Sequence, residues 1–415
     1  MNKRSSQLLL KLKRASNRLQ QAEKIDKKTI HLTANESAMS PLATKWQASI
    51  LNTRYVLGTI KERNKKEAYF YKKKFLVQGI PVFDELELLA KDACKKMFHC
   101  QESNFVPLSG LHAMIALIGT MTQPGDLIMT LSPNYGGHYA TTPLLKNMGR
   151  RQVFLPYSFN KLELNLKELK QLASQEKIRM IYLDIMHYFN PYPLKQIKEI
   201  LPETILVYDG SHVLGLVAGG QFQSPLIEGA DILSGNTHKT MPGPQKAMIL
   251  YKDKNLFDKL SMIADVFTSS CHTHSTISLF ITLLEMAEFG KKYANQIIKN
   301  SRILAKNLHK NNFEIMAYPK IKPQTHQLLV RTNNIKEGLK LIKAGINVNT
   351  VSLFNGLQFI RLGTQQVTRL GMKEREMEYL ANLITKALKE NKINQTRKEV
   401  EKLANKFNKI HYCFQ

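Results

Sequence analysis

The spacing of apolar residues changes several times along the chain, and each change marks an element. Leu8, Leu9, Leu12 and Leu19 fall near one face of a basic N-terminal stretch, which predicts an amphipathic helical arm over residues 1–30. FDELELLAKDACKKMF (83–98) keeps the helical period, as do LNLKELKQLASQ (164–175) and LKQIKEIL (194–201). The runs LIMTLS (127–132), RQVFLPY (151–157), IRMIYLDI (178–185), ETILVYD (203–209), ADILSG (230–235) and KAMILY (246–251) are short, apolar and rich in β-formers, and read as strands. Strands alternating with helices from about 85 to 250 predict an α/β fold, with a mainly parallel sheet covered on both faces. In such sheets ligands collect outside the carboxyl ends of the strands. A long helical segment, Thr276–Leu308, leads to a smaller α/β region. There HQLLVRT (326–332) and LQFIRLGT (357–364) are strands and KEREMEYLANLITKALKE (373–390) is a helix. The pattern divides the chain into an arm (1–30), a large domain (31–285), a small C-terminal domain (286–387) and a charged, helical, solvated tail (388–415).

Composition narrows the setting. A chain of 415 residues with 43% hydrophobic content can bury a large core. The net charge of +27 is high, but the basic residues are dispersed and densest at the two ends. Without an aromatic-interleaved basic module, nucleic acid is not the expected partner. The four cysteines, Cys94, Cys100, Cys271 and Cys413, show neither paired zinc spacing nor a disulfide framework. The apolar run Leu8–Leu10 is too short for a signal segment, and no stretch approaches the ~18 apolar residues of a membrane span. These features predict a cytoplasmic protein with reduced thiols and no membrane partner.

Two residues carry the chemistry. Asp209 ends one apolar run, and Lys239 lies in a polar turn between His238 and Thr240 after the next. A lysine and an aspartate presented this way suit an aldehyde cofactor with a pyridine ring. The amine can condense with the aldehyde, and the carboxylate can keep the ring nitrogen protonated by a charge-assisted hydrogen bond. Asn236 and His238 share the turn and are expected to donate to a phosphate. Ser109, Gly110 and Leu111 precede the apolar segment AMIALIGTM, whose helical N-terminus is an anion site.

The strings DGSHVLGLVAGG (209–220) and NTHKTMPGP (236–244) resemble the cofactor motifs of serine hydroxymethyltransferase, a pyridoxal 5'-phosphate (PLP) enzyme of the aspartate-aminotransferase fold group. HLTANESAMSPLA, LNTRYVLG, SGLHAM, NYGGHY and FIRLGTQQVTRLG follow in that family's order, so the resemblance covers roughly residues 30–385. It implies the fold type I architecture, with a seven-stranded sheet in the large domain, and a homodimer with shared active sites. It also implies roles. Lys239 holds the PLP aldehyde, Asp209 faces the ring nitrogen, and His212 packs beside the ring hydroxyl. Tyr135 stacks on the ring where the family has a histidine, and His138 matches the motif's second histidine. Arg361 grips the substrate α-carboxylate, with Asn35 and Glu36 nearby. Tyr55 reaches the site across the dimer interface, and Tyr55 and Glu36 join Lys239 and His212 as catalytic candidates.

Departures from the family pattern bear on the reaction. Leu57 stands where the family carries a glutamate that handles the proton of the hydroxymethyl group, and leucine transfers no proton. Leu111 replaces a serine of the phosphate motif, and Met186 replaces a small polar residue. The glycine-rich loop becomes FTSSCHTHS, where His272 and His274 read as part of a polar active-site loop rather than a metal site. The resemblance therefore implies making or breaking the Cα–Cβ bond of a β-hydroxy amino acid (serine, threonine, glycine class) with an aldehyde partner. The changed positions favour a folate-independent aldolase or transaldolase. Folate-dependent hydroxymethyl transfer, other PLP chemistry at Cα (racemisation, transamination, decarboxylation) and a non-catalytic basic binding protein are the alternatives.

Overall fold

The computed structural model describes residues 3–159, 161–260 and 264–415. Its central sheet has seven strands: β1 (Glu102–Asn104), β2 (Leu127–Thr130), β3 (Arg151–Phe154), β4 (Ile178–Leu183), β5 (Ile205–Asp209), β6 (Ile232–Asn236) and β7 (Ala247–Tyr251). Their order across the sheet is β1-β7-β6-β5-β4-β2-β3. β7 runs antiparallel to both neighbours, and the other pairings are parallel. Every residue of β2 and β7 is buried, as expected of strands covered on both faces. This is the α/β fold with a mainly parallel sheet that the alternating pattern predicts. The parallel strands end at one edge, which carries Asp209 at the end of β5, Asn236 at the end of β6 and Asp184 just past β4.

The principal helices are α1 (Lys3–Asp26), α2 (Pro81–Phe98), α3 (Gly110–Met121), α4 (Thr273–Lys310), α5 (Glu374–Leu388) and α6 (Ile393–Lys406). α3 starts where Ser109, in extended conformation, accepts a hydrogen bond from the His112 N–H, and it buries Ala113, Met114, Ala116, Leu117 and Ile118 against the sheet. α4 runs through residue 285 without a break and serves two cores. Ile277, Phe280, Leu283 and Ile297 pack in the first, beneath the opposite sheet face; Leu304 and Leu308 pack in the second.

The second core belongs to a three-stranded antiparallel sheet of β8 (Gln327–Thr332), β9 (Asn349–Leu353) and β10 (Leu357–Gly363), ordered β8-β10-β9. The chain also enters this core early. Ile30–His31 pairs in parallel with Ile346–Asn347, and Ile30 and Leu32 are buried there. Gly363 lets the strand lie against this entering segment, since a Cβ at that position would sit 2.6 Å from the Ala34 Cα. The close approach delivers Asn35 to β10.

Two expectations at the ends of the chain meet different outcomes. The N-terminal arm is helical, and Leu8, Leu12 and Leu19 are each more than 60% exposed. The expectation of a solvated C-terminal tail is corrected: Val400, Leu403 and Ala404 of α6 are buried in the second core. Its charged residues occupy the outer helix face, which gave the segment a solvated look in sequence. Beyond α6, the carbonyls of His411 and Tyr412 each accept a 2.7 Å hydrogen bond from Arg369. No described helix is long and apolar enough to cross a membrane.

Candidate active site

A cavity opens at the carboxyl edge of the sheet, and Asp209, Lys239, His212, Asn236 and the start of α3 all line it. Asp209 is carried there by β5, and Lys239 by the turn between β6 and β7. Thr240 fixes that turn: its hydroxyl donates to the His212 carbonyl at 2.7 Å and accepts from the Gly215 N–H at 3.0 Å.

Lys239 Nζ lies 3.1 Å from His212 Nε2. Burial disfavours the ammonium, and the nearby Asp209 charge favours it. Burial wins, and the amine is pushed down to about 8, with the Arg361 charge acting in the same direction. Burial likewise raises the Asp209 carboxyl, against the hydrogen bond from Ser211 and the Lys239 charge. A cationic ring nitrogen beside Asp209 would restore its ionised form. His212 is held well below the usual imidazole range by burial and by the Lys239 charge.

The α3 end of the cavity is closely fitted. Gly110 N–H donates to Asn236 Oδ1 at 2.7 Å, and a Cβ on Gly110 would meet the Asn236 amide at 2.6 Å. Ser211 Oγ accepts from the Asn236 backbone N–H at 3.0 Å. Thus the Asn236 side chain clamps the helix end through Oδ1, while the residue itself lines the cavity. Ser109 serves as the helix cap, while Gly110 and Leu111 face the cavity. His238 keeps a buried Nδ1 without a partner, and burial pushes its imidazole down to about 4.

The expected ring-stacking residue is corrected. Tyr135 does not line the cavity; it stacks on Tyr157 with centroids 4.9 Å apart and planes 19° apart. His138 lines the cavity instead. The cause is the Gly136-Gly137 pair. Gly136 takes a φ of 96°, and a Cβ on Gly137 would lie 2.0 Å from the Leu131 carbonyl oxygen, so the chain reverses tightly before His138. The His138 N–H then donates to Asp184, which also accepts from Leu131 N–H and the Thr141 hydroxyl. Met186 lines the same cavity.

Arg361 sits on the central strand of the small sheet, opposite Leu329 and Asn349. It is 4% exposed. One guanidinium nitrogen, Nη2, donates to Asn35 Oδ1 at 2.7 Å and to Asn349 Oδ1 at 3.1 Å, while Nε and Nη1 are buried without partners. Burial without an acid pushes the guanidinium down to about 10. Its charge depresses Lys239 and His212, so it lies within electrostatic reach of the cavity.

Glu36 is turned toward the chain's own N-terminal segment. It accepts from Thr33 Oγ1 at 2.5 Å, lies 3.2 Å from His31 Nδ1, and is held low first by His31. Tyr55 is 65% exposed and outside the cavity. Leu57 is fixed by Tyr69, whose hydroxyl donates to the Leu57 carbonyl at 2.9 Å. The His272 and His274 rings lie 6.4 Å apart, and among the described residues no group of three or more His, Cys, Asp or Glu side chains could hold a metal. Sequence reasoning missed Ser211, Asp184, Asn349, His326 and Gln327. Only Ser211 carried a local signal, its place between Asp209 and His212.

These donors fit a phosphorylated pyridine aldehyde: an amine, a buried carboxylate, an imidazole wall and a helix N-terminus surround one cavity. Comparisons with known proteins agree. Residues 13–384 match the serine hydroxymethyltransferase family profile. Fluorothreonine transaldolase of Streptantibioticus cattleyicolor is 35% identical over 88% of this chain, which spans 58% of that protein's length. Serine hydroxymethyltransferase of Archaeoglobus fulgidus is 33% identical over 94% of this chain and 90% of its own. The crystal structure of L-threonine transaldolase from Pseudomonas fluorescens superposes with a TM-score of 0.90 at 28% identity, covering 100% of this chain and 96% of that one. The chain therefore belongs to the serine hydroxymethyltransferase family, whose members are PLP enzymes acting on amino acids.

Proposed function

We propose that this protein is a PLP-dependent transaldolase or aldolase that breaks the Cα–Cβ bond of a β-hydroxy α-amino acid of the serine and threonine class and joins Cα to an aldehyde, without folate. The carrying observation is Arg361, a buried cation with two unpartnered guanidinium nitrogens beside the cavity that holds Lys239. An α-carboxylate brings a negative charge and acceptors to nitrogens that have none, and so removes the cost of the unpaired charge. The folate-independent form is supported by Leu57, which leaves no acid at that place to move a proton.

When bound, PLP supplies an aldehyde for an amine and a ring that draws electrons from Cα. Lys239 would hold the aldehyde, Asp209 the ring nitrogen, His138 a ring face and the start of α3 the phosphate. Arg361, oriented by Asn35 and Asn349, would fix the substrate so that its Cα–Cβ bond stands perpendicular to the ring, which selects the bond that breaks. The exposure of Tyr55 and of the α1 leucines supports a homodimer in which Tyr55 completes the partner's site. Mixing Tyr55→Phe and Lys239→Ala subunits should then restore activity that neither variant has alone; no recovery would argue for self-contained sites.

The reaction is tested by supplying threonine and an acceptor aldehyde with and without tetrahydrofolate. The reading expects acetaldehyde release and a new β-hydroxy amino acid in both cases. Serine cleavage that depends on tetrahydrofolate would overturn the folate-independent form.

A further inference from the structure

Gln327 begins β8 in the small domain, yet its side chain is inserted into the large-domain loop that follows β4. Its Oε1 accepts from the Tyr188 N–H at 3.2 Å, and its Nε2 donates to the Met186 carbonyl at 3.0 Å. A backbone N–H can only donate and a backbone carbonyl can only accept, so the amide has one orientation. The remaining hydrogen on Nε2 then points at His212 Nδ1, 2.9 Å away. Nδ1 must receive that hydrogen bond with its lone pair, and the neutral imidazole keeps its proton on Nε2. That proton faces Lys239 Nζ at 3.1 Å, where the amine must accept in turn.

We propose that Gln327 is a positioning residue which, through the tautomer it imposes on His212, favours the unprotonated, nucleophilic form of the Lys239 amine. An imidazolium would aim a second N–H at the Gln327 amide hydrogen, and an ammonium would aim hydrogens at the Nε2 proton. Both clashes are between donors, so the chain of three side chains favours one proton arrangement over the others. His326 closes the far face of the His212 ring, with centroids 6.0 Å apart and planes 16° apart. The other charged or titratable groups coupled to this pair are Asp209, Arg361, His187, His138 and His238. Asp209 alone favours the ammonium. Because Gln327 comes from one domain and His212 and Lys239 from the other, the relay also makes the readiness of the lysine depend on the seating of the two domains.

The inference rests on Lys239 being the cofactor lysine, but its test needs no cofactor. Protein freed of PLP and labelled with ¹⁵N-histidine reports the His212 tautomer by NMR, with the signal assigned by its loss in His212→Asn. Competitive acetylation followed by mass spectrometry reports the protonation midpoint of Lys239. The wild type should show the proton on Nε2. In Gln327→Glu the carboxylate accepts where the amide donated, so the proton should move to Nδ1 and the lysine midpoint should rise by ~1 unit or more. Gln327→Leu, which adds no charge, should give a mixed tautomer and a smaller rise. A wild-type proton on Nδ1, or a tautomer unchanged in both variants, would overturn the relay, even if the added charge alone shifts the lysine. If the tautomer moves as expected but PLP does not attach to Lys239, the relay stands and the functional reading fails.

Discussion

The two halves of the candidate site are built differently. At the carboxyl edge of the large sheet, the polar groups hold one another. Asn236 clamps Gly110, Ser211 bonds both Asp209 and Asn236, Thr240 pins the Lys239 turn, and Gln327 fixes His212. Where the three-stranded sheet meets the entering segment, groups are left waiting. Arg361 has two idle guanidinium nitrogens there, and Tyr55, near the start of α4, projects into solvent. The first half is organised before a ligand arrives; the second is satisfied only by what binds. Such a contrast suits a resident cofactor on one side and an exchanging amino acid on the other, because preorganisation rewards the permanent occupant most.

Removing Lys239 should break the first half most severely. Lys239→Ala is expected to lose activity by on the order of 10³-fold or more, the scale of losing a nucleophile, and to lose the visible absorption of the attached cofactor. Steady-state rates and a spectrum check this. Arg361→Met should instead damage only the second half. Its cofactor spectrum should be unchanged while KM for the amino acid rises about 100-fold, within the range for breaking a buried charge pair. The same variant should melt at a higher temperature than wild type when no amino acid is present, because it removes a buried cation that lacks an acid. A lower melting temperature would mean that the guanidinium is already paired in the free protein.

Two aromatic positions sharpen the comparison. His138→Leu should weaken PLP binding about fivefold to tenfold, the scale of a lost stacking contact, whereas Tyr135→Leu should leave it within about twofold. Cofactor titration by fluorescence separates them, and the reverse ranking would restore Tyr135 to the ring.

The smallest effect concerns pH. The Lys239 amine titrates at about 8 in the folded protein against an ordinary 10.5. Below about 8 both states carry the proton, and the folded state bears the full cost of burying it. Between about 8 and 10.5 the unfolded chain binds more protons, so stability rises with pH. Denaturant titrations of the cofactor-free protein should show that rise shrinking in Lys239→Met. Part of it should remain, because Lys246 is also buried and pushed down to about 8.

Much of this was legible in the chain. Strands buried on both faces appear as continuous apolar runs, and the turns after them must carry polar residues, so Asp209 and Lys239 stood out. Other features left weaker marks. β1 is the polar tripeptide Glu102–Asn104, too short for a period. α6 shows its charges more openly than its apolar stripe. Tyr135 occupies the motif position of a stacking residue, but Gly136 and Gly137 reverse the chain so that His138 lines the cavity in its place. Gln327 is an ordinary polar residue at the start of a strand; its bonds to Met186, Tyr188 and His212 exist only because the two sheets meet, and no local pattern encodes that.

The central claim is that one amine, Lys239, receives the cofactor at the carboxyl edge of the sheet. Borohydride reduction of the PLP-loaded protein, followed by peptide mapping, tests it directly. The account predicts a single phosphopyridoxyl group on Lys239, with Lys246 serving as a buried competitor of the same lowered basicity. Modification at Lys246, or spread over surface lysines with Lys239 unmodified, would contradict it.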